Sequence, residues 1–259
     1  MKYKTITFEE KDGIATITLS RPDVLNALNK EMLSEIHAAL EESQKKGSIR
    51  VVVITGKGRA FSAGADVKNV YKASMSEVRE IASLTQRLTR DIRDLGKPVI
   101  TKVNGLAMGA GCELCVVSDI CIASEKAKFG LPDISVVLPL TSGTSKLLAE
   151  LIGDHKAKEL VLTGEPIDAM EAMKIGLVNA VVPAEKLDEE TKEVANKIIR
   201  HSPLAVKLFK SAMDTSKELS LNSALKYEID ALSVGFATED SKEGILAFIE
   251  KRKPRYKGK

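Results

Sequence analysis

PVITKVNGLAMGAGCELCVVSDICIA, residues 98–123, holds strand, turn and helix signals within one short passage. Pro98 to Val103 is a short run rich in β-branched residues that reads as a strand, and Asn104-Gly105 is a turn signal. From Gly109 the chain passes through small residues into an apolar helix reaching Val117, and Asp119 to Ala123 reads as the strand after it. This alternation implies an α/β core.

The flanking sequence carries the same pattern outward. Upstream, Arg50 to Thr55 (RVVVIT) is a continuous β-branched run of the kind buried on both faces. Lys11-Asp12-Gly13 marks a turn between Thr5–Phe8 and a strand carrying Ile14, Ile17 and Leu19, which predicts a hairpin. Met32, Leu33, Ile36, Ala39 and Leu40 share one face of a helix predicted over 29–46, with Gly47 as its stop. A second helix is predicted over 76–95 with Ser76 as its cap, after a loop. Downstream, Leu177 to Val182 reads as a last strand. Helices follow over 187–200, 204–213, 219–235 and 241–252. The expected organisation is a core domain over 1–200 and a helical section over 201–259.

Composition narrows the function classes. The chain has 259 residues, 44% of them hydrophobic and 29% charged, with 39 basic against 36 acidic residues and a net charge of +3. Such a balance gives no electrostatic footprint for nucleic acid. The basic residues concentrate only in the tail, at Lys251, Arg252, Lys253, Arg255, Lys257 and Lys259. That tail reads either as a contact for a phosphate-bearing ligand or as a solvated end. Cys112, Cys115 and Cys121 are an odd number with no histidine at ligand spacing, so neither a disulfide framework nor a metal site is implied. The C-x-x-C formed by Cys112 and Cys115 lies in an apolar run and reads as buried small hydrophobes rather than redox chemistry. No apolar h-region opens the chain and no stretch reaches membrane-spanning length, so a cytoplasmic protein is expected.

Three segments can carry chemistry. Arg59 to Asp66 (RAFSAGAD) follows the RVVVIT strand with small residues that let a ligand approach the backbone, although a tight packing turn accounts for them about as well. Asn104 to Glu113 leads into a helix whose first-turn N–H groups are free and sit at the positive end of its dipole, a place for a developing oxyanion. Glu113 one turn on is either a reacting carboxylate or a complement to that dipole. Phe129 to Asp133 (FGLPD) ends on a carboxylate that reads equally as an N-cap or turn residue. Two carboxylates converging from separate segments are what acid/base addition of water across a double bond requires.

In this order, the segments resemble the enoyl-CoA hydratase/isomerase (crotonase) family over nearly the whole chain. The resemblance runs through Ser20-Arg21-Pro22 and Asn26-Ala27-Leu28, the A-G-A-D segment, V-N-G-x-A-x-G-x-G-C-E at 103–113, Asp119-Ile120 and Lys128-Phe129-Gly130. It continues through Leu162-Thr163-Gly164, AMKIGLV at 172–178 and E-G-I-x-A-F-x-E-K-R at 243–252. It implies an α/β spiral of β-β-α turns followed by C-terminal helices that form a homotrimer, often a dimer of trimers. The substrate would be an acyl-coenzyme A thioester, with no metal and no cofactor beyond the coenzyme A of the substrate itself.

Carried over residue by residue, the resemblance implies that the N–H groups of Ala65 and Ala110 hold the thioester oxygen and that Glu113 is the first catalytic carboxylate. The second falls on Asp133, where hydratases have Glu. The usual P-G-x-G-G loop is replaced by Pro139-Leu140-Thr141-Ser142-Gly143-Thr144 and lies one residue nearer. Hydration by Glu113 and Asp133 is therefore expected ahead of a single-carboxylate isomerisation or other enolate reaction assisted by Thr141 or Ser142. Val24, Leu25, Ala27, Ala63, Asp66, Val67 and Lys68 correspond to the coenzyme A strip, and Lys253, Tyr256 and Lys257 to its 3'-phosphate, adenine or the acyl pocket.

Two readings of other classes compete. An RNA-binding relative needs a basic helix face, yet Lys30, Lys45 and Lys46 are interleaved with Glu31, Glu35, Glu41 and Glu42. A ClpP-like serine peptidase needs a Ser-His pair, and His37, His155 and His201 all lie far in sequence from the G-A-G-C-E segment.

Overall fold

The computed structural model describes residues 3–259. Strands β1 (Ile6–Lys11) and β2 (Ile14–Leu19) form the antiparallel hairpin, closed by Asp12 and Gly13 at positive φ. Helix α1 (Lys30–Lys45) is capped by Asn29, whose side chain accepts from Met32 N–H, and buries the apolar face anticipated from its spacing. Strand β3 (Val51–Gly56) pairs in parallel with β2 and is buried on both faces.

From β3 onward the chain repeats one manoeuvre. A strand of a large sheet is followed at once by a three-residue strand of a second sheet, and helix returns the chain to begin again. The first turn is β3, β4 (Ala60–Ser62), α2 (Val67–Lys72) and α3 (Met75–Asp94). The second is β5 (Val99–Val103), β6 (Leu106–Met108) and α4 (Ala110–Val117). The third is β7 (Ile120–Ser124), β8 (Lys128–Gly130), a 3-10 turn over Pro132–Val136, α5 (Thr144–Ile152) and α6 (Asp154–Thr163). Strand β9 (Ile167–Asp168), α7 (Ala169–Lys174) and β10 (Ala180–Val182) close the spiral. The large sheet runs β1-β2-β3-β5-β7-β10 and the small one β4-β6-β8-β9. This is the β-β-α spiral that the resemblance implies.

Ile54, Phe61, Phe129, Met32, Ile36, Leu88 and Ile92 are all fully buried in one cluster. Each such side chain contributes on the order of 2 kcal/mol when removed from water. The core therefore clamps the ends of the strands and the loops that leave them.

Several boundaries differ from expectation for local reasons. The cap of α3 is Ser74 rather than Ser76, because Ser74 completes a capping box with Glu77, the residue three positions on. The loop expected between Arg50–Thr55 and the helix over 76–95 contains β4 and the short helix α2, and the strand expected over 177–182 is confined to β10, Leu177 being drawn into the core instead. The three-residue strands of the second sheet are too short and too rich in small residues to show a period.

Four helices end the chain: α8 (Leu187–Ile199), α9 (Pro203–Ser216), α10 (Leu221–Phe236) and α11 (Glu239–Ile249). Helix α9 is keyed to the spiral by Lys210, whose buried ammonium donates to Ile92 O at 2.7 Å and to Asp119 Oδ2 at 2.6 Å. The basic tail is not a loose end. Asp240 at the start of α11 accepts from Lys257 N–H (2.7 Å) and Gly258 N–H (2.9 Å), and Glu243 holds the Arg252 guanidinium. Among the described residues, no helix is long and apolar enough to cross a membrane.

Candidate active site

Two loops meet at the N-terminus of α4. The approach is closer than any side chain allows: a Cβ on Gly64 would stand 3.2 Å from Ala110 N, and one on Gly111 would stand 2.6 Å from Ser62 O. The small residues of both motifs are thus a packing requirement as well as a chemical one. Ala110 is the first residue of α4, in the right-handed conformation expected for it, and Gly109 precedes it at φ +48°.

The direction of each candidate amide follows from peptide planarity. In a trans peptide the N–H points opposite to the C=O of the same unit. Gly64 O accepts from Leu28 N–H at 2.7 Å, which turns the Ala65 N–H away from the 24–28 strip. Gly109 O accepts from Glu113 N–H at 2.9 Å within the first turn of α4, which turns the Ala110 N–H out of the helix end. Among the described residues neither Ala65 N–H nor Ala110 N–H has an acceptor in the chain. Two adjacent unpaired amides, one at a helix dipole's positive end, can hold an anionic oxygen.

Glu113 is buried, at 2% exposure, and it is anchored from the altered loop. Its Oε2 accepts from Ser142 N–H at 2.7 Å and Thr141 N–H at 3.3 Å. Ser142 is fixed in turn by Thr89 of α3, whose hydroxyl donates to Ser142 O at 3.1 Å. Thr141 and Ser142 therefore act here through backbone groups, a role that no feature of LTSGT advertises.

Asp133 lies in the 3-10 turn and does not cap it; Pro132 occupies the first position instead. Its carboxylate sits over Gly109, 2.9 Å from where a Cβ would stand there, and its Oδ2 is buried without a hydrogen-bond partner. Burial, with the Glu113 carboxylate nearby, raises the Asp133 pKa above the usual carboxylate value. The structure thus brings Glu113, Asp133 and the two free amides to one helix end.

The raised value has a sign for stability. Wild-type protein loses folding free energy as pH rises from the ordinary aspartate range through the raised native value, because the native state disfavours the charge. Asp133→Asn removes that loss. The variant is expected to melt above wild type at neutral pH, with the gap closing as pH falls to the ordinary aspartate range, as calorimetry across pH would read.

The coenzyme A strip is ordered along the first loop. Ala63 N–H donates to Leu25 O, and Asp66 N–H to Leu28 O, so residues 24–28 run beside 63–66. Ala27 is buried, whereas Val24, Val67 and Lys68 are exposed. Lys253, Tyr256 and Lys257 are not brought to this site within the chain. Their contacts lie in the C-terminal section, with Tyr256 against Gly244 of α11 and Lys257 beside Glu239.

Among the described residues no His/Cys/Asp/Glu cluster could hold a metal ion. The cysteines are free and buried, and burial pushes the Cys112 and Cys115 thiols up, away from reactivity. His37 is engaged by Asp91, and Lys30, Lys45 and Lys46 are paired with glutamates.

Residues 9–259 match the model of the enoyl-CoA hydratase/isomerase family. The chain is 40% identical over 257 residues to a crotonyl-CoA hydratase of Syntrophomonas wolfei subsp. wolfei, covering 99% of both chains. It is 39% identical over 254 residues to a short-chain-enoyl-CoA hydratase of Clostridium acetobutylicum, covering 98% of this chain and 97% of the other. The crystal structure of an enoyl-CoA hydratase from Bacillus anthracis superposes with a TM-score of 0.95 at 36% identity, covering 99% of this chain and 100% of the other.

Proposed function

The chain belongs to the enoyl-CoA hydratase/isomerase family, and on that premise we propose that it is a hydratase adding water across the double bond of a 2-enoyl-CoA. The observation that carries this reading is the pair of carboxylates, Glu113 and Asp133, beside two unpaired amides at one helix end.

The thioester oxygen accepts from Ala65 N–H and Ala110 N–H. As a water oxygen bonds to Cβ, Glu113 takes one of its protons and electron density moves through Cα to the thioester oxygen. The enolate then reforms the carbonyl while Cα takes a proton from the Asp133 carboxyl. Product leaves as the 3-hydroxyacyl thioester, and one proton passing from Glu113 to Asp133 restores both groups. The raised pKa of Asp133 suits the donor, and the Ser142 and Thr141 amides keep the Glu113 carboxylate oriented. Oxyanion donors of this kind each supply about 3 kcal/mol of transition-state stabilisation.

Coenzyme A lies along residues 24–28 and 63–68 in this reading, with Val24, Leu25 and Ala27 at the pantetheine, Ala63, Asp66 and Val67 near the thioester, and Lys68 toward the nucleotide. Lys253, Tyr256 and Lys257 complete the site from a neighbouring copy. Residues 1–200 form the catalytic core and 201–259 the assembly section of a homotrimer. Support for assembly comes from apolar side chains left uncovered on α9, α10 and α11, among them Phe209 at 74%, Leu232 at 70% and Phe248 at 86% exposure.

Purified protein mixed with crotonyl-CoA is expected to remove the conjugated thioester absorbance with formation of 3-hydroxybutyryl-CoA. Crotonyl-CoA left untouched while a 3-enoyl-CoA is converted would replace hydration by isomerisation.

A further inference from the structure

One buried hydroxyl outside the residues assigned above contacts the glycine that precedes the Ala65 amide. Gly64 joins two peptide units: the first carries its own N–H, and the second carries its C=O together with the Ala65 N–H. Gly64 stands at φ +92°, a conformation open to glycine, and nothing on its own side chain can hold the two planes in register. Ser62 holds the first plane: Gly64 N–H donates to Ser62 Oγ at 3.2 Å. Leu28 N–H holds the second through Gly64 O.

Ser62 is itself fixed by the 24–28 strip. Its fully buried hydroxyl donates to Asn26 O at 2.9 Å. Asn26, also fully buried, sits at φ +57° and is tied down from three directions: its Oδ1 accepts from Arg21 N–H, and its Nδ2 donates to Lys57 O and Ala60 O, each at 2.9 Å. The Arg21 guanidinium bonds both Ala27 O at 2.6 Å and Asp66 Oδ2 at 3.0 Å, joining the strip to the far side of the loop. Across the loop, the Ser62 backbone and Cβ abut Gly111 in the first turn of α4. Ser62 thus touches all three segments that meet at the candidate oxyanion hole.

We propose that Ser62, seated by Asn26 and Arg21, is the positioning residue that aims the Ala65 N–H at the thioester oxygen. This rests on the hydratase reading above. The Ser62 hydroxyl makes no contact with substrate in this role; it relays the rigidity of the 21–28 segment to the Gly64 N–H plane, while Leu28 holds the plane that follows.

The test compares wild type with Ser62→Ala, which keeps the Cβ against Gly111 and removes only the hydroxyl. The expected result is a fall in kcat on crotonyl-CoA of about 10- to 100-fold, less than full donor loss because Leu28 still holds Gly64 O, with KM changed by less than about threefold. Infrared difference spectra of bound butyryl-CoA, a saturated thioester that cannot be hydrated, supply the second readout. In wild type the thioester carbonyl stretch moves to lower frequency on binding, and in Ser62→Ala it returns part of the way toward free ligand. Lowered thermal stability with wild-type kcat and a wild-type carbonyl stretch overturns the proposal.

Ser62→Cys replaces the hydroxyl by a somewhat larger and weaker hydrogen-bonding atom, and it carries the test if Ser62→Ala does not fold. A smaller loss in both readouts is expected, and wild-type values in both overturn the proposal. If wild type binds butyryl-CoA with a shifted carbonyl yet leaves crotonyl-CoA untouched, the hydratase reading fails while the comparison of stretches still tests Ser62.

Discussion

Ala110→Pro is expected to lower kcat for enoyl-CoA hydration by about 10²–10³, the loss associated with deleting one preorganised oxyanion donor. The substitution is mild for the fold. Ala110 is the first residue of α4, where proline's fixed φ fits and where the missing N–H breaks no bond within the chain. The helix hydrogen bond from Glu113 N–H to Gly109 O is left in place. Thermal stability should therefore stay close to wild type while turnover collapses. KM should rise as well, because the proline Cδ stands where the amide hydrogen pointed and crowds the thioester oxygen in addition to removing its donor. Steady-state kinetics beside a melting curve separates this from simple unfolding. A variant that melts normally and turns over within about threefold of wild type would remove Ala110 from the oxyanion hole.

Glu113→Gln is the second large effect. The amide side chain is nearly isosteric, and its oxygen can still accept from Ser142 N–H and Thr141 N–H, so the buried site keeps its hydrogen bonds. What is lost is the base. A positioned general acid or base contributes about 10²–10⁴ in rate, and a kcat loss of that size is expected with the fold intact. The altered loop sharpens the test. Its backbone amides fix the Glu113 carboxylate through Ser142, and Thr89 of α3 fixes Ser142, so the chain supplies an anchor without the glycines that hydratases carry there. If Glu113→Gln kept near wild-type turnover while Asp133→Asn lost it, a single-carboxylate mechanism on Asp133 would take over.

How far the sequence could be read depended on where each element's information resides. Strands β3, β5 and β7 were legible from short runs rich in β-branched residues, β2 from its place after the Lys11-Asp12-Gly13 turn, and α1 because its apolar face has a clear period. Ala110 at a helix start was legible from local pattern alone. The second sheet was not, since Ala60–Ser62 and Leu106–Met108 are three-residue strands formed by pairing with chain distant in sequence. The cap of α3 lies two residues before the expected Ser76 because Ser74 and Ser76 are both good caps, and only the placement of Glu77 chooses between them.

The candidate site divides in the same way. Glu113, Asp133 and the two amides could be named by resemblance, but their convergence is a tertiary fact: Asp133 reaches Gly109 through the β8 turn, and Glu113 finds its partners in a loop beyond it. The amides of Thr141 and Ser142 had no signal to give, because a backbone N–H is present at nearly every residue. Ser62 was visible only as one small residue among several. Its role arises from three contacts with Asn26, Gly64 and Gly111, none of which is a property of the local sequence.

The central claim is that water adds across the double bond with Glu113 and Asp133 both handling protons on an enolate held by two amides. Turnover of crotonyl-CoA in deuterated water, followed by the loss of enoyl absorbance and by mass and NMR analysis of the product, tests it most directly. The account predicts 3-hydroxybutyryl-CoA carrying one deuterium at the α-carbon, with hydration and labelling slowed together by at least about 10²-fold in Glu113→Gln and in Asp133→Asn. Hydration within about threefold of the wild-type rate in either variant, or α-deuterium appearing in a thioester to which no water has been added, would contradict it.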